Sequence, residues 1–229
     1  MKTAVMQPYW FPYLGYFQLI HAVDNFVIFD DVNYINRGWI NRNNILMNQE
    51  AHLLTLNLEG ASQNKLINEI NVGENREKLL RTLQQNYSKS PSYKSAYPVL
   101  AEIISYPEVN LAKYLEFGLQ TLCDYMNLHP RWHLASEFKL ARDLKGKERV
   151  MSICKELMTT QYINLPGGRE LYSHDDFERA GLQLSFIQPN LPEYSQFGKS
   201  FIPNLSIIDV LMFNTQAECR KLVSTYNLD

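Results

Sequence analysis

Two short apolar runs, residues 3–7 and 26–29, bracket a segment of helical character, and this arrangement constrains the fold most. Between them Phe17, Leu19, Ile20 and Val23 recur closer to helical than to alternating spacing. The first run ends in Gln7-Pro8, passes Pro12 and enters a helix expected to start near residues 13–15. Strand, helix, strand is the opening unit of a parallel sheet, and α/β folds bind ligands at the carboxyl edge of such a sheet. Asp30-Asp31 closes the second run, so it should open onto the same edge.

The rest of the chain continues the alternation. Residues 51–58 (AHLLTLNL) read as a third strand and 67–72 (INEINV) as a short fourth. Residues 74–87, 92–105 and 111–128 read as amphipathic helices, the last with Asn110 as its cap. Residues 132–135 form a strand pattern, followed by Ser136-Glu137 and a polar run to Gly146. Then come a helix (147–158), a strand (161–165) ending in Pro166-Gly167-Gly168, and a short helix (175–180) closed by Gly181. A strand (182–187) and a helical region (206–226), broken near Asn214, complete the chain. The expected fold is α/β: a mainly parallel, Rossmann-like sheet with flanking helices and a helical middle segment. At 229 residues the chain is expected to form one domain over 1–229, with 74–128 as a helical insertion or subdomain.

Totals exclude several classes. A net charge of −2 gives no general attraction to nucleic acid or an anionic membrane, so no nucleic-acid partner is expected. Cys123, Cys154 and Cys219 are odd in number and widely spaced, which fits free thiols in a reducing compartment. No run is long and apolar enough to span a bilayer, and no signal peptide is visible. A cytoplasmic protein without membrane insertion is expected. His21, His52, His129, His133 and His174 lack metal spacing, and no protein metal site is expected. GxSxG, Walker A and GxGxxG patterns are all missing.

Chemistry concentrates at the strand ends. Gly15 at a helix start lets backbone N–H groups approach an anion; the alternative is a glycine needed only for the turn or for packing. Gln7 can donate and accept at a strand end, or merely cap the sheet. Asp30 and Asp31 are the candidate catalytic pair, one binding Mg²⁺ or acting as a base; because strand neighbours face opposite sides, one of them should be structural. Arg37, Trp39, Asn41, Arg42 and Asn43 combine two guanidinium groups with a stacking face, which suits phosphate or carboxylate; the alternative is a solvated loop. Gly167 and Gly168 can form a backbone nest or an ordinary turn. Ser206 and Asp209 match a helix-capping box as well as a ligand contact, and Tyr194 and Gln196 sit in a loop after a strand.

The runs QPYWFPYLGYFQLI, DNFVIFDDVNYINRGWINRN, YINLPGGRELY and FIPNLSIIDVLMFN, in this order, resemble the WbqC-like family across essentially the whole chain. That family is known mainly from bacterial gene clusters for surface polysaccharide (O-antigen, lipopolysaccharide) biosynthesis. The resemblance implies a transferase attaching an amino-acid (glycyl) or acyl group to a nucleotide- or lipid-linked sugar. The partner would be a small molecule, a sugar nucleotide or an activated amino-acid or acyl donor. The cofactor it admits is a nucleotide with Mg²⁺. Tyr13-Leu14-Gly15-Tyr16 also has the spacing of the His-x-Gly-His motif of nucleotidylyltransferases, a superfamily that includes pantothenate synthetase. Here both histidines are tyrosines, which can hydrogen-bond phosphate but carry no positive charge at neutral pH. A nucleotidylyltransferase-like enzyme with Tyr13 and Tyr16 replacing histidine, and a non-catalytic nucleotide-sugar binding or assembly protein, are the alternatives.

Overall fold

A computed structural model describes residues 1–140 and 144–229. The polar run expected before Gly146 therefore lies partly outside the described residues. Five parallel strands form the centre: β1 (Lys2–Met6), β2 (Asn25–Ile28), β7 (Arg131–Leu134), β8 (Gln161–Asn164) and β9 (Gln183–Pro189). A sixth, β10 (Tyr226–Leu228), joins antiparallel at the edge, giving the order β10-β9-β8-β1-β2-β7. The chain builds outward from β1 through β2 to β7, then returns to β8 on the other side of β1. The strand order thus reverses between β1 and β8, the type of point where open α/β sheets place ligands. The α/β class and mainly parallel sheet match the expectation.

Strand alternation sorts side chains into two cores. Ala4, Phe26, Ile28, Ile163 and Ile187 face one layer. Val5, Val27, Tyr162, Leu184 and Phe186 face the other, against α5 (Gly146–Glu156) and α6 (His174–Arg179). Both faces are covered, so β2 reads as the uninterrupted apolar run Phe26-Val27-Ile28. The larger layer holds α1 (Leu14–His21), the middle helices α2 (Arg76–Tyr87), α3 (Tyr93–Ser105) and α4 (Leu111–Met126), and the closing pair α7 (Ile207–Phe213) and α8 (Gln216–Val223). Asn110 does cap α4, its side chain accepting from the Lys113 N–H at 3.3 Å. Among the described residues, no helix is long and apolar enough to cross a membrane.

Three expectations need correction. Arg42 and Asn43 lie on β3 (Arg42–Met47), not in a polar loop; β3 pairs antiparallel with β4 (Glu50–Thr55) through a two-residue turn in which Asn48 and Gln49 both have positive φ. Residues 67–72 are a 3₁₀ turn (Ile67–Glu69) followed by the two-residue β6 (Asn71–Val72), which pairs with β5 (Leu58–Glu59). Tyr226, expected as the last residue of the helical region 206–226, instead opens β10.

One buried amide ties α1 to the far end of the chain. Gln18, fully enclosed, places its Nε2 2.7 Å from the Asn190 carbonyl, 2.8 Å from that of Leu222 and 2.9 Å from that of Thr225. The last two carbonyls lie at and just beyond the end of α8, where helical partners run out. Gln18→Leu keeps the volume but removes the donor, and should cost about 1–3 kcal/mol in urea unfolding. A loss below about 0.5 kcal/mol would show that these carbonyls find other partners.

Candidate functional site

The approach from β1 to α1 is a tight aromatic turn, Gln7-Pro8-Tyr9-Trp10-Phe11-Pro12-Tyr13. Its two prolines fix φ and remove two N–H donors. Phe11 has φ +45°, a conformation that costs an L-residue roughly 1–2 kcal/mol. The Phe11 carbonyl is held by two buried side chains: Asn43 Nδ2 donates to it at 2.8 Å and Ser206 Oγ at 2.7 Å. Trp10 N–H donates to the Trp39 carbonyl (3.2 Å), and Ile207 N–H to the Pro12 carbonyl (2.9 Å). Asn43 and Ser206 thus shape the turn from β3 and from the start of α7.

Tyr13, Gly15 and Tyr16 come out of this turn with different environments. A Cβ on Gly15 would stand 2.5 Å from the Tyr13 ring, so the glycine makes room for that ring over the helix start. Tyr16 is fully buried, its hydroxyl donating to the Gln7 carbonyl at 2.8 Å. The Gln7 side chain is half-buried and makes no hydrogen bond among the described residues.

Beside the turn lies a cleft of about 410 Å³ lined by Tyr9, Pro12, Tyr13, Trp39, Asn43, Pro189, Leu191 and Asn204. It carries no charged side chain. Burial raises the pKa of Tyr9, and of Tyr13 with Tyr9 adding to it, so both phenols stay neutral at physiological pH. Trp39 is 45% exposed and offers a ring face. Near Trp39 the Arg42 guanidinium folds back to donate from Nε to the Gly38 carbonyl (3.0 Å) and from Nη2 to the Arg37 carbonyl. Arg37 itself is exposed, with φ +61°. Asn41 is buried, accepting from Tyr34 Oη at 2.9 Å and donating to the Leu56 carbonyl at 2.8 Å.

The acidic pair divides as strand geometry requires. Asp30 is buried and accepts from Ser136 N–H (3.0 Å), Ser136 Oγ (2.6 Å) and Asn68 Nδ2 (3.1 Å), tying β2 to the segments after β7 and before β6. Asp31 forms an ion pair with Arg149 of α5, whose Nη2 also donates to the Ala135 carbonyl at 3.1 Å. Burial pushes the Asp31 pKa up, Arg149 opposes this, and Asp30 adds to it. Gly167 and Gly168 form a 3₁₀ turn (Pro166–Glu170). The Gly168 N–H bonds the Leu165 carbonyl at 2.9 Å, and a Cβ on Gly168 would meet Asn164 Nδ2 at 2.6 Å. That amide is therefore not offered to an anion.

Tyr194, Gln196 and Asp209 do come together. The fully buried Asp209 carboxylate accepts from Tyr87 Oη (2.9 Å), Tyr194 Oη (2.8 Å) and Gln196 Nε2 (2.6 Å), with no cation paired to it among the described residues. Tyr87 Oη also accepts from the Leu46 N–H at 2.9 Å. Gln196 exchanges two hydrogen bonds with the Ile202 backbone, so the cluster fastens the segment that supplies Leu191 and Asn204 to the cleft. Burial raises the Asp209 pKa against the pull of its three donors.

Sequence reasoning did not single out Pro189, Leu191 and Asn204 of the cleft, Tyr87 of the Asp209 cluster, or Arg149. The Gln188-Pro189 echo of Gln7-Pro8 was the available signal for the second cleft wall. Among the described residues, no group of three or more His, Cys, Asp or Glu side chains is placed to share a metal ion.

Two outcomes follow from this geometry. Asn43→Ala removes a buried grip on a strained carbonyl and should cost about 1–3 kcal/mol; an unchanged urea midpoint would show that Ser206 alone holds the turn. For Asp209, the folded pKa lies above the ordinary 3.8, so the folded state holds its proton more tightly than the unfolded state. The carboxyl's contribution is then fully present below 3.8 and falls as pH rises through the raised folded value. Asp209→Asn should therefore gain on the wild type across that window. A stability difference independent of pH would show that Asp209 titrates normally.

The chain is similar to a protein of Mycobacterium tuberculosis (strain ATCC 25618 / H37Rv) named uncharacterized protein Rv1507c. The two are 30% identical over 223 residues, covering 95% of each. No solved structure matches the chain. The WbqC-like protein family matches residues 7–221, from the end of β1 into α8, and takes in the aromatic turn, the acidic pair and the Asp209 cluster. The chain belongs to the WbqC-like protein family.

Proposed function

We propose that this protein is a transferase of bacterial surface-polysaccharide (O-antigen) biosynthesis, working in the cytoplasm. It would attach an amino-acid (glycyl) or acyl group to a nucleotide- or lipid-linked sugar. The observation that carries this reading is the aromatic cleft at the carboxyl edge of the sheet. Its Trp39, Tyr9 and Tyr13 rings suit stacking against a sugar or nucleobase, and its neutral phenols and Asn204 can hydrogen-bond hydroxyl groups. Its volume, about 410 Å³, lies within the range of small-molecule sites.

In this scheme Asp31 is the better-placed base of the acidic pair. The Asp30 oxygens already accept three hydrogen bonds, whereas Asp31, paired with Arg149, lines an open cleft beyond β2 and β7. A deprotonated Asp31 would take the proton of the attacking amine or hydroxyl as the new amide or ester bond forms and the donor's leaving group departs. A nucleotide with Mg²⁺ is the cofactor this scheme admits. The nucleotidylyltransferase-like alternative draws support from the position of Tyr13-Leu14-Gly15-Tyr16 at the start of α1, the first helix after β1, but burial of Tyr16 weighs against a phosphate-facing role for the second tyrosine.

Thermal unfolding with UDP-sugars, ATP, CTP and CoA esters tests the scheme, since a ligand at 100 times its Kd stabilises by about 2.7 kcal/mol. UDP-sugars should raise the midpoint, and Trp39→Ala should weaken that binding by about tenfold, the worth of one lost ring stack. A response to ATP alone would favour the nucleotidylyltransferase-like alternative. No response to any of the four would favour a non-catalytic assembly role.

A further inference from the structure

A sugar nucleotide or lipid-linked sugar brings a phosphate or diphosphate as well as a ring, and the aromatic cleft has nothing to match that charge. The Tyr13 ring covers the start of α1, the Gly168 amide is occupied, and Arg42 is turned onto backbone carbonyls. A second cleft, of about 720 Å³, opens beyond the carboxyl ends of β2 and β7, against the beginning of α5. Among the described residues its charged lining side chains are Asp31, Glu137, Lys139, Lys145 and Arg149.

The charge balance there favours an anion. Among the described residues Asp31 is matched by Arg149, and the lining then holds two further cations, Lys139 and Lys145, against one further anion, Glu137. Neither lysine forms an ion pair among the described residues, and both are exposed. The Asp31–Arg149 pair is itself incompletely satisfied: Arg149 Nε and Asp31 Oδ1 are closed to solvent and have no hydrogen-bond partner among the described residues. A guanidinium already aligned by a carboxylate and by the Ala135 carbonyl loses little freedom when it takes up a phosphate oxygen.

We infer that the cleft between β2, β7 and α5 binds the phosphate or diphosphate of the substrate through Lys139, Lys145 and Arg149. Asp31 holds Arg149 in place there. The identity of the ligand as the substrate's phosphate rests on the function proposed above; the anion site itself does not. The two clefts lie at the same edge of the sheet, one for the neutral ring and one for the charge.

Isothermal titration of the full chain with pyrophosphate separates the two claims. Pyrophosphate should bind, more weakly as salt rises, because the lysines are solvent-exposed and screened. Lys139→Ala/Lys145→Ala should weaken it at least tenfold while leaving the thermal midpoint of the free protein unchanged. Trp39→Ala should leave pyrophosphate affinity as it is. Failure of the wild type to bind pyrophosphate, or equal affinity in the double variant, overturns the anion site. Pyrophosphate binding that persists where no sugar nucleotide binds would overturn the proposed substrate and leave the anion site standing.

Discussion

The Phe11 carbonyl is the point on which the site depends. Three segments distant in sequence meet there: the turn after β1, Asn43 on β3 and Ser206 before α7. Phe11 is in a left-handed conformation that its own sequence does not favour, so the turn persists because the two donors over-determine it. The same turn places Tyr9, Pro12 and Tyr13 along one wall of the aromatic cleft, while Trp39 is fastened opposite through the Trp10 N–H. Backbone strain, buried amide and aromatic surface are parts of one construction.

The core explains why that construction is rigid. Alternating side chains of β1, β2, β8 and β9 are locked between two helical layers, which fixes where each strand stops. Asp30 and Asp209 then use buried carboxylates as clamps, each gathering three hydrogen bonds from separate segments. Neither is paired with a cation among the described residues, and a buried carboxylate of that kind is costly unless its oxygens are well matched, as these are. Asp31 differs in having a cation but an oxygen unmatched among the described residues, and it borders an open cleft.

Much of the fold was legible in the sequence because it rests on local periodicity. The runs at 3–7 and 26–29, the helical spacing of Phe17, Leu19 and Ile20, and the Asn110 cap all appear where expected. β3 was not legible, because Arg42, Asn43 and Asn44 are polar and Asn43 is buried for a reason that exists only in three dimensions, the Phe11 carbonyl. The Asn48-Gln49 turn lacks the glycine that marks such hairpins. Tyr194, Gln196, Ser206 and Asp209 were recognisable as polar residues at breaks, but the bond of Ser206 to the Phe11 carbonyl and the link of the Asp209 cluster to Tyr87 depend on packing between segments far apart in the chain. Arg149 gave no signal at all: on a polar helix an arginine reads as solvated until its partner is placed.

The tyrosines of the Tyr13-Leu14-Gly15-Tyr16 segment fit this division of polar labour. A histidine at residue 16 would sit fully buried beside Phe17 and Phe26, where protonation is disfavoured, so it would hold no charge toward a phosphate. A phenol there instead bonds the Gln7 carbonyl and packs its ring against Tyr9, helping to build the turn. At residue 13 the ring lies over Gly15 and faces the cleft, turning a helix start suited to anions into an uncharged wall. Neutral aromatic surface between β1 and α1, with cations concentrated beyond β2 and β7, is a consistent arrangement for a substrate whose ring and whose charge are recognised apart.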